Sequence, residues 1–149
     1  MKTLTRLWRS LEFIPGLMTV PAFWEAYCGR DFDFIRPYLR ATDTNGGLYP
    51  CPRPGTGYCP RRIIAYGDGE FAALCRDPYQ CCERVALTPR EAVLHDLDLA
   101  AFLKAILRAV AIRPEEPKER RYGTWSIGLS GRKSSLNQPA FLIIVPAIL

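Results

Sequence analysis

The amino-acid sequence predicts a small α+β protein with N-terminal helices, a central β-hairpin module that carries cysteines, and a C-terminal helix packed on a short sheet. Three observations lead to this prediction. Apolar residues recur at helical spacing near the start of the chain and again near residue 100. Two short runs typical of strands flank a glycine turn, and five of the six cysteines lie between Cys51 and Cys82. With 149 residues, 48% of them hydrophobic, the chain can bury a core, which excludes wholesale disorder.

The helical segment is expected to cover residues 1–45. Its first helix has one apolar stripe at three- and four-residue spacings, formed by Leu4, Leu7, Trp8 and Leu11. A second helix should begin near Pro21, a favourable first-turn residue, and end at Cys28. A third helix follows, with Asp31 as its expected N-cap. The polar, glycine-containing stretch that begins at Asp43 predicts a loop and the first boundary.

The central module is expected to cover residues 46–88. Residues 62–66 and 70–75 are typical of two short strands, and the Gly67-Asp68-Gly69 turn between them predicts a hairpin. Prolines are frequent in the stretch that leads into the first strand, which reduces the entropic cost of ordering it. The segment that leads into the hairpin is therefore expected to be conformationally restricted.

The last region, residues 89–149, is expected to combine a helix with a short β-sheet and could be incomplete. Thr88 and Glu91 match a capping box, and Asp98 can cap the main helix. The charged stretch 113–121 predicts a linker, followed by strands at 124–129 and 140–145. Because residues 141–145 are all apolar, that strand should be covered on both faces. We expect the cover to come from a protein partner or from a missing C-terminal continuation.

The cysteine spacing predicts a metal site. Four thiolates from two loops satisfy tetrahedral zinc, and Cys51, Cys59, Cys75 and Cys82 are the expected ligands. The hairpin turn centres on Asp68, so Cys59 lies nine residues before it and Cys75 seven residues after it. Both cysteines therefore fall near the open end of the same hairpin. Four thiolates leave no open coordination position, so the expected role of Zn²⁺ is structural.

The arrangement resembles a zinc ribbon over about 40 residues. It also resembles a zinc-ribbon-like cysteine-rich module of uncharacterised bacterial proteins, through Tyr49-Pro-Cys-Pro52, Cys59-Pro-Arg61, the Cys-x6-Cys spacing from Cys75, and Leu87-Thr88. Neither loop has the two-residue gap of a CxxC knuckle. The resemblance implies a zinc-ribbon-like module and brings no catalytic residue with it.

Alternatives remain for the cysteines. Adjacent residues of an extended segment point to opposite sides, so only one of Cys81 and Cys82 should reach the metal, and we favour Cys82 because its longer loop leaves room to turn back. His95 could replace one cysteine, although a surface or capping role suits it better. The cysteines of the cluster could instead form disulfides or remain buried thiols without a metal. Cys28 lies outside the cluster and is expected to be a small buried residue at a helix end.

The absence of a predicted signal peptide or membrane span, together with the net charge, limits the classes of function that the sequence allows. Charged residues interrupt the N-terminal apolar stretches before a signal peptide could form, and no segment approaches the ~20 apolar residues of a membrane span. We therefore expect a cytoplasmic protein without a membrane, in a compartment that disfavours disulfides. The net charge of +5 is spread thinly, without the dense basic stripe that binds phosphate backbones.

The expected function is a non-enzymatic, zinc-binding interaction module with a structural site of four cysteines. One alternative is part of a metal- or thiol-dependent enzyme in which the spare member of the Cys81–Cys82 pair reacts. A second is a nucleic-acid-binding module in which the basic pairs Arg61-Arg62, Arg120-Arg121 and Arg132-Lys133 converge. A fragment without independent activity is the third. No catalytic residue and no further cofactor are predicted.

Overall fold

The computed structural model describes residues 5–51, 61–77, 82–109, 113–121, 124–129 and 139–143. Its helices are α1 (Thr5–Phe13), α2 (Pro21–Cys28), α3 (Phe32–Ile35), α4 (Pro89–Ala92) and α5 (Leu99–Ala109). Its strands are β1 (Met18–Thr19), β2 (Leu39–Asn45), β3 (Leu48–Tyr49), β4 (Arg61–Gly67), β5 (Glu70–Leu74), β6 (Val85–Leu87), β7 (Val93–Leu97), β8 (Arg113–Arg121), β9 (Thr124–Leu129) and β10 (Pro139–Ile143). The predicted α+β class is confirmed.

The strands of this described part form three antiparallel sheets. Their strand orders are β1-β7-β2, β3-β4-β5-β6 and β10-β9-β8. The predicted hairpin is confirmed as β4 and β5, and its turn has positive φ at Gly67, Asp68 and Gly69. Helix α5 contacts β8 and β9, so the C-terminal helix packs near a short sheet as predicted.

The main core lies between the helices and the β1-β7-β2 sheet. The apolar stripe of α1 buries Leu7 and Leu11, and they pack in one cluster with Trp24 of α2 and Phe102 of α5. The indole Nε1 of Trp24 donates to the backbone oxygen of His95, 3.0 Å away, which ties α2 to β7. Each fully buried large apolar side chain contributes about 1.5–3 kcal/mol. This cluster therefore supplies most of the apolar stabilisation in the described part of the chain.

Asp31 acts at a different helix from the one predicted. Its side chain makes no capping hydrogen bond to α3. Instead, its Oδ2 accepts from the backbone amide of Leu7, at 3.3 Å, in the first turn of α1. The first amides of a helix lack partners within the helix and favour a negative charge, so this buried carboxylate stabilises the start of α1.

One predicted loop is a strand in the structure, and another begins later than predicted. The stretch 113–121, expected to be a charged linker, forms β8 and pairs with β9. The loop predicted from Asp43 begins only after Asn45, because β2 continues through Asn45. The predicted strand at 140–145 is confirmed as β10 as far as Ile143; its last two residues, and its side chains, lie outside what the structure describes.

The capping box at the start of α4 is confirmed. The amide of Glu91 donates to Oγ1 of Thr88 at 3.3 Å, and the amide of Thr88 donates to Oε2 of Glu91 at 2.7 Å. These hydrogen bonds to Thr88 lower the pKa of the Glu91 carboxyl, the backbone bond more than the side-chain bond. The charged form of Glu91 is thus favoured by folding.

A Glu91→Gln variant is therefore expected to lose about 0.5 kcal/mol at pH 7, since the capping contact is exposed and screened. A carboxyl whose pKa is lowered on folding stabilises the protein above its unfolded-state pKa, and this contribution disappears as the pH falls through the folded-state pKa. The stability difference between wild type and variant should thus shrink as the pH falls from 7 to 3. Urea unfolding at both pH values measures it, and a difference that does not change with pH would contradict the assignment.

Candidate metal centre

The four-stranded sheet brings the cysteine-bearing segments to one end. In an antiparallel sheet of order β3-β4-β5-β6, β3 and β5 end where β4 and β6 begin. Cys51 follows β3 by two residues, Cys75 follows β5 directly, and Cys82 precedes β6 by three. In the sequence Cys59 stands two residues before β4. The two cysteine-bearing loops therefore connect to the same end of the sheet.

The sulfur atoms of Cys51 and Cys82 are in contact. Their Sγ atoms lie 3.3 Å apart although the residues are 31 positions apart in the sequence. Both side chains are half-buried. The separation exceeds the ~2.05 Å of a disulfide bond. The contact has the geometry of a thiol–thiol hydrogen bond, and it is shorter than the ~3.8 Å expected between two sulfurs that are each ~2.3 Å from one tetrahedral zinc.

Cys75 has an amide directed at its sulfur. The backbone N–H of Asp77 donates to Sγ of Cys75, at 3.4 Å, in the segment directly after β5. A hydrogen bond to the charged form of a thiol favours that form. The same hydrogen bond would be available to a thiolate, the form in which cysteine binds a metal.

The predicted ligand set is brought together in part. The structure puts Cys51 and Cys82 in contact and places Cys75 at the same end of the sheet, whereas Cys59 lies outside the described residues. Cys81, the alternative to Cys82, also lies outside them. Within the described ranges, no three His, Cys, Asp or Glu side chains are grouped so that they could hold a metal ion. Cys75 is therefore not grouped with Cys51 and Cys82, and the site of four cysteines stays a prediction.

His95 and Cys28 belong to the helical core. His95 lies on β7, the middle strand of its sheet, is 4% exposed, and its Nδ1 is 3.2 Å from the backbone oxygen of Val93. It is thus buried, and the expected surface or capping role is wrong. Cys28 is fully buried as the last residue of α2, where burial raises the pKa of its thiol. A buried thiol of this kind is inert.

Sequence reasoning missed Arg61. The sequence analysis treats Arg61 only as half of a basic pair, but Arg61 is 3% exposed while Arg62 beside it is exposed. Arg61 lines an open cavity of ≈ 680 Å³ together with Cys51 and Tyr49. The alternation of β4 is the signal that could have found it, since side chains two residues apart share a face and Arg61 therefore shares one with the partly buried Ile63.

Tyr49 shows that this cavity wall is partly shielded from water. Burial raises the pKa of the Tyr49 hydroxyl, the charge of Glu91 adds to the rise, and the Arg61 guanidinium opposes it. A positive charge in such a wall interacts strongly with any anion nearby, because water screens it poorly. The Arg61 guanidinium and the carboxylates of Glu91 and Glu25 thus act on the pKa of Tyr49 in opposite directions.

In the part of the chain that the structure describes, no helix has the length and apolar character needed to cross a membrane. Comparison of this chain with protein-family models, with curated proteins and with solved structures finds no significant match.

Proposed function

We propose that this protein is a non-enzymatic interaction module whose central sheet is held by a structural zinc ion bound to Cys51, Cys59, Cys75 and Cys82. The observation that carries the proposal is the 3.3 Å contact between the sulfurs of Cys51 and Cys82. These two residues come from the two loops that the cysteine spacing predicts to converge. The amide directed at the sulfur of Cys75 adds support.

The small core of the sheet is a physical reason for a metal. The buried cluster of the β3–β6 sheet consists of Ala73, Leu87 and Ala92, and the larger residues against it, such as Phe71, are only partly buried. So little buried apolar area contributes little stability. A structural zinc ion supplies folding free energy directly, because its ligands are brought together only in the folded state.

Four thiolates fill the tetrahedral shell of zinc and leave no position for a substrate or water, which favours a structural over a catalytic role.

An exposed aromatic residue on the same sheet could contact a protein partner. Tyr66 is 49% exposed, and the guanidinium of Arg84 stacks 4.7 Å from its ring centre. Tyrosine and arginine are enriched among the residues that dominate protein interfaces. Thiolate ligands need a reducing compartment, so the proposed location is the cytoplasm.

The proposal predicts one zinc per chain and four thiols that react only after chelation. Elemental analysis of the purified protein gives the metal content, and thiol titration with and without a chelator gives the thiols released. A Cys82→Ser variant should lose the zinc. A Cys28→Ala variant is the matched control and should keep it, because Cys28 lies in the helical core.

The same titration separates the alternatives. A protein that purifies without zinc and does not bind it contradicts the proposal. One thiol that reacts rapidly in the zinc-loaded protein favours thiol chemistry instead. Binding to random DNA that weakens steeply with salt would favour the nucleic-acid module.

A further inference from the structure

The buried imidazole of His95 has one ring nitrogen without a hydrogen-bond partner in the described part of the chain. His95 is 4% exposed on β7, the middle strand of its sheet. Its Nδ1 lies 3.2 Å from the backbone oxygen of Val93, and a carbonyl oxygen only accepts, so Nδ1 carries the proton. Nε2 of the neutral ring is then an acceptor, and no described residue donates to it. A buried side chain with such an atom indicates a donor from outside the described residues.

The cavity that His95 lines has the size of a small-molecule site. Its volume is ≈ 510 Å³, within the ~300–1,000 Å³ typical of ligand pockets. Among the described residues, Nε of Arg61 is the side-chain atom found fully buried without a partner, so Nε2 of His95 keeps contact with open space. Pro21, Phe32 and Leu39 supply apolar walls. The unpartnered nitrogen is therefore accessible to a small molecule.

Three helical segments bring charged side chains to the same cavity. Nε1 of Trp24 donates to the backbone oxygen of His95 at 3.0 Å, so the turn of α2 that carries Trp24 and Glu25 lies against β7. Arg36 directly follows α3, and Arg90 lies on α4, which leads directly into β7. Glu25, Arg36 and Arg90 all line the cavity. Groups of both signs therefore border the space that Nε2 of His95 contacts.

The charges around this cavity balance. Among the described residues that line it, Arg36 and Arg90 are positive, and Glu25 and Glu91 are negative. The capping box holds Oε2 of Glu91, and Arg36 pairs with Asp33 at 3.4 Å. Arg90 and Glu25 form no ion pair with a described residue. An anion alone would meet the charge of Glu25 and a cation alone that of Arg90, so the lining favours a ligand that carries both charges.

We propose that this cavity binds a small zwitterion, a free α-amino acid with an apolar side chain. Its ammonium group donates to Nε2 of His95 and pairs with Glu25. Its carboxylate pairs with Arg90, and its side chain contacts Phe32 and Leu39. An ammonium supplies the donor that the neutral imidazole lacks, and the fork of a guanidinium suits a carboxylate. None of the described cysteines lines this cavity, so the proposal does not rest on zinc.

Titration of the full chain with L-leucine, followed by NMR chemical shifts, tests the proposal. We expect a dissociation constant of about 1 mM or tighter, since leucine is small and the cavity exists before it binds. Two analogues each lack one charge: N-acetyl-leucine has no ammonium and leucinamide has no carboxylate. Each should bind about tenfold more weakly than leucine, because one charge-assisted hydrogen bond is lost.

Two exposed residues assign the contacts separately. Glu25→Gln should weaken leucine by about tenfold and change N-acetyl-leucine by less than about twofold, because that analogue has no ammonium. Arg90→Met should weaken leucine by about tenfold and change leucinamide by less than about twofold, because that analogue has no carboxylate. Arg108→Met is the matched control, since Arg108 is exposed on α5 and does not line the cavity. It should bind leucine as wild type does.

His95→Asn tests the buried acceptor. Asparagine keeps a donor that can reach the backbone oxygen of Val93 but places no atom at the position of Nε2. We expect it to weaken leucine by about tenfold. Leucine bound by a folded His95→Asn variant at wild-type affinity would overturn the role of the imidazole.

The remaining outcomes decide the proposal. Leucine, phenylalanine and methionine that all fail to bind at ~10 mM would overturn it. Equal binding of leucine, N-acetyl-leucine and leucinamide would mean that only the apolar walls bind, and N-acetyl-leucine bound more tightly than leucine would indicate a site for anions; either result overturns it. Should His95→Asn not fold, Glu25→Gln and Arg90→Met decide, because leucine bound by both at wild-type affinity would overturn the proposal. A protein that binds leucine but no zinc would contradict the proposed function alone.

Discussion

If the cysteines bind zinc as proposed, its removal is expected to open the β3–β6 sheet while the helical core stays folded. The sheet buries little apolar surface of its own, whereas the cluster around Trp24 and Phe102 contains ten buried residues and no predicted ligand. Hydrogen exchange read out by mass spectrometry measures both regions in one sample. We expect peptides from β4 to β6 to lose protection by ~1,000-fold after chelation, about 4 kcal/mol, and peptides from α2 and α5 to change by less than about threefold.

Two variants control for effects of the chelator itself. Cys51→Ser in the presence of zinc should reproduce the opening of the sheet. Cys28→Ala should weaken the helical core, where Cys28 is fully buried, and leave the protection of β4–β6 intact. Simultaneous loss of protection in both regions would mean that the chain unfolds as one unit. A sheet that keeps its protection without metal would show that it does not depend on zinc.

Elements set by local signals could be predicted from the sequence. The capping box at Thr88 was predicted and is confirmed, and so is helix α1, whose predicted stripe buries Leu7 and Leu11 but leaves Trp8 38% exposed. Asp98 was predicted to cap the main helix, and its Oδ1 accepts from the amide of Ala101 at 3.0 Å. In each case the residues that decide the structure lie within one or two helical turns of one another.

Elements set by distant pairing could not be predicted. β2 is mostly exposed, and its residues Asp43 and Asn45 are typical of loops. It is a strand because β7 pairs with it, bringing Ala41 opposite His95, 54 positions along the chain. No local pattern indicates that partner. The same pairing buries His95, whose position between two neighbouring strands is invisible to spacing arguments.

β8 shows how an edge strand can resemble a linker. Its sequence holds Pro114, Pro117 and seven charged residues, which would not suit a central strand. In the order β10-β9-β8 it lies at an edge, and its pairing with β9 shifts register between Pro114 and Lys118. Proline is tolerated at such irregular edges, and charged residues discourage further strand pairing.

The site of four cysteines stays a prediction, and the sequence did not predict the burial of Arg61. Spacing about the turn at Asp68 places the loops of Cys59 and Cys75 at one end of the hairpin, and the contact between Cys51 and Cys82 arises at that end. The burial of Arg61 depends on what covers β4, which a basic pair in the sequence does not reveal.

Gly46→Ala is expected to destabilise the protein by about 2–3 kcal/mol, because the junction between the two sheets has no room for a side chain. A Cβ atom on Gly46 would lie 2.3 Å from Cγ1 of Val20 and 3.3 Å from the backbone oxygen of Ala92. The amide of Gly46 also donates to that oxygen at 2.7 Å, so the backbone cannot move away without losing a hydrogen bond. Val20 is 1% exposed, so its side chain cannot relieve the clash by moving into solvent.

Urea unfolding of three variants tests this steric argument. Gly47→Ala is the matched control, because a Cβ there meets nothing within 4 Å, and it should change the free energy of unfolding by less than about 0.5 kcal/mol. Val20→Ala removes the methyl group that clashes, so the double variant should be at least about 1 kcal/mol more stable than the sum of the single changes predicts. Strict additivity would show that the clash with Val20 does not limit Gly46. Equal losses at Gly46 and Gly47 would point instead to the backbone entropy that any glycine replacement alters.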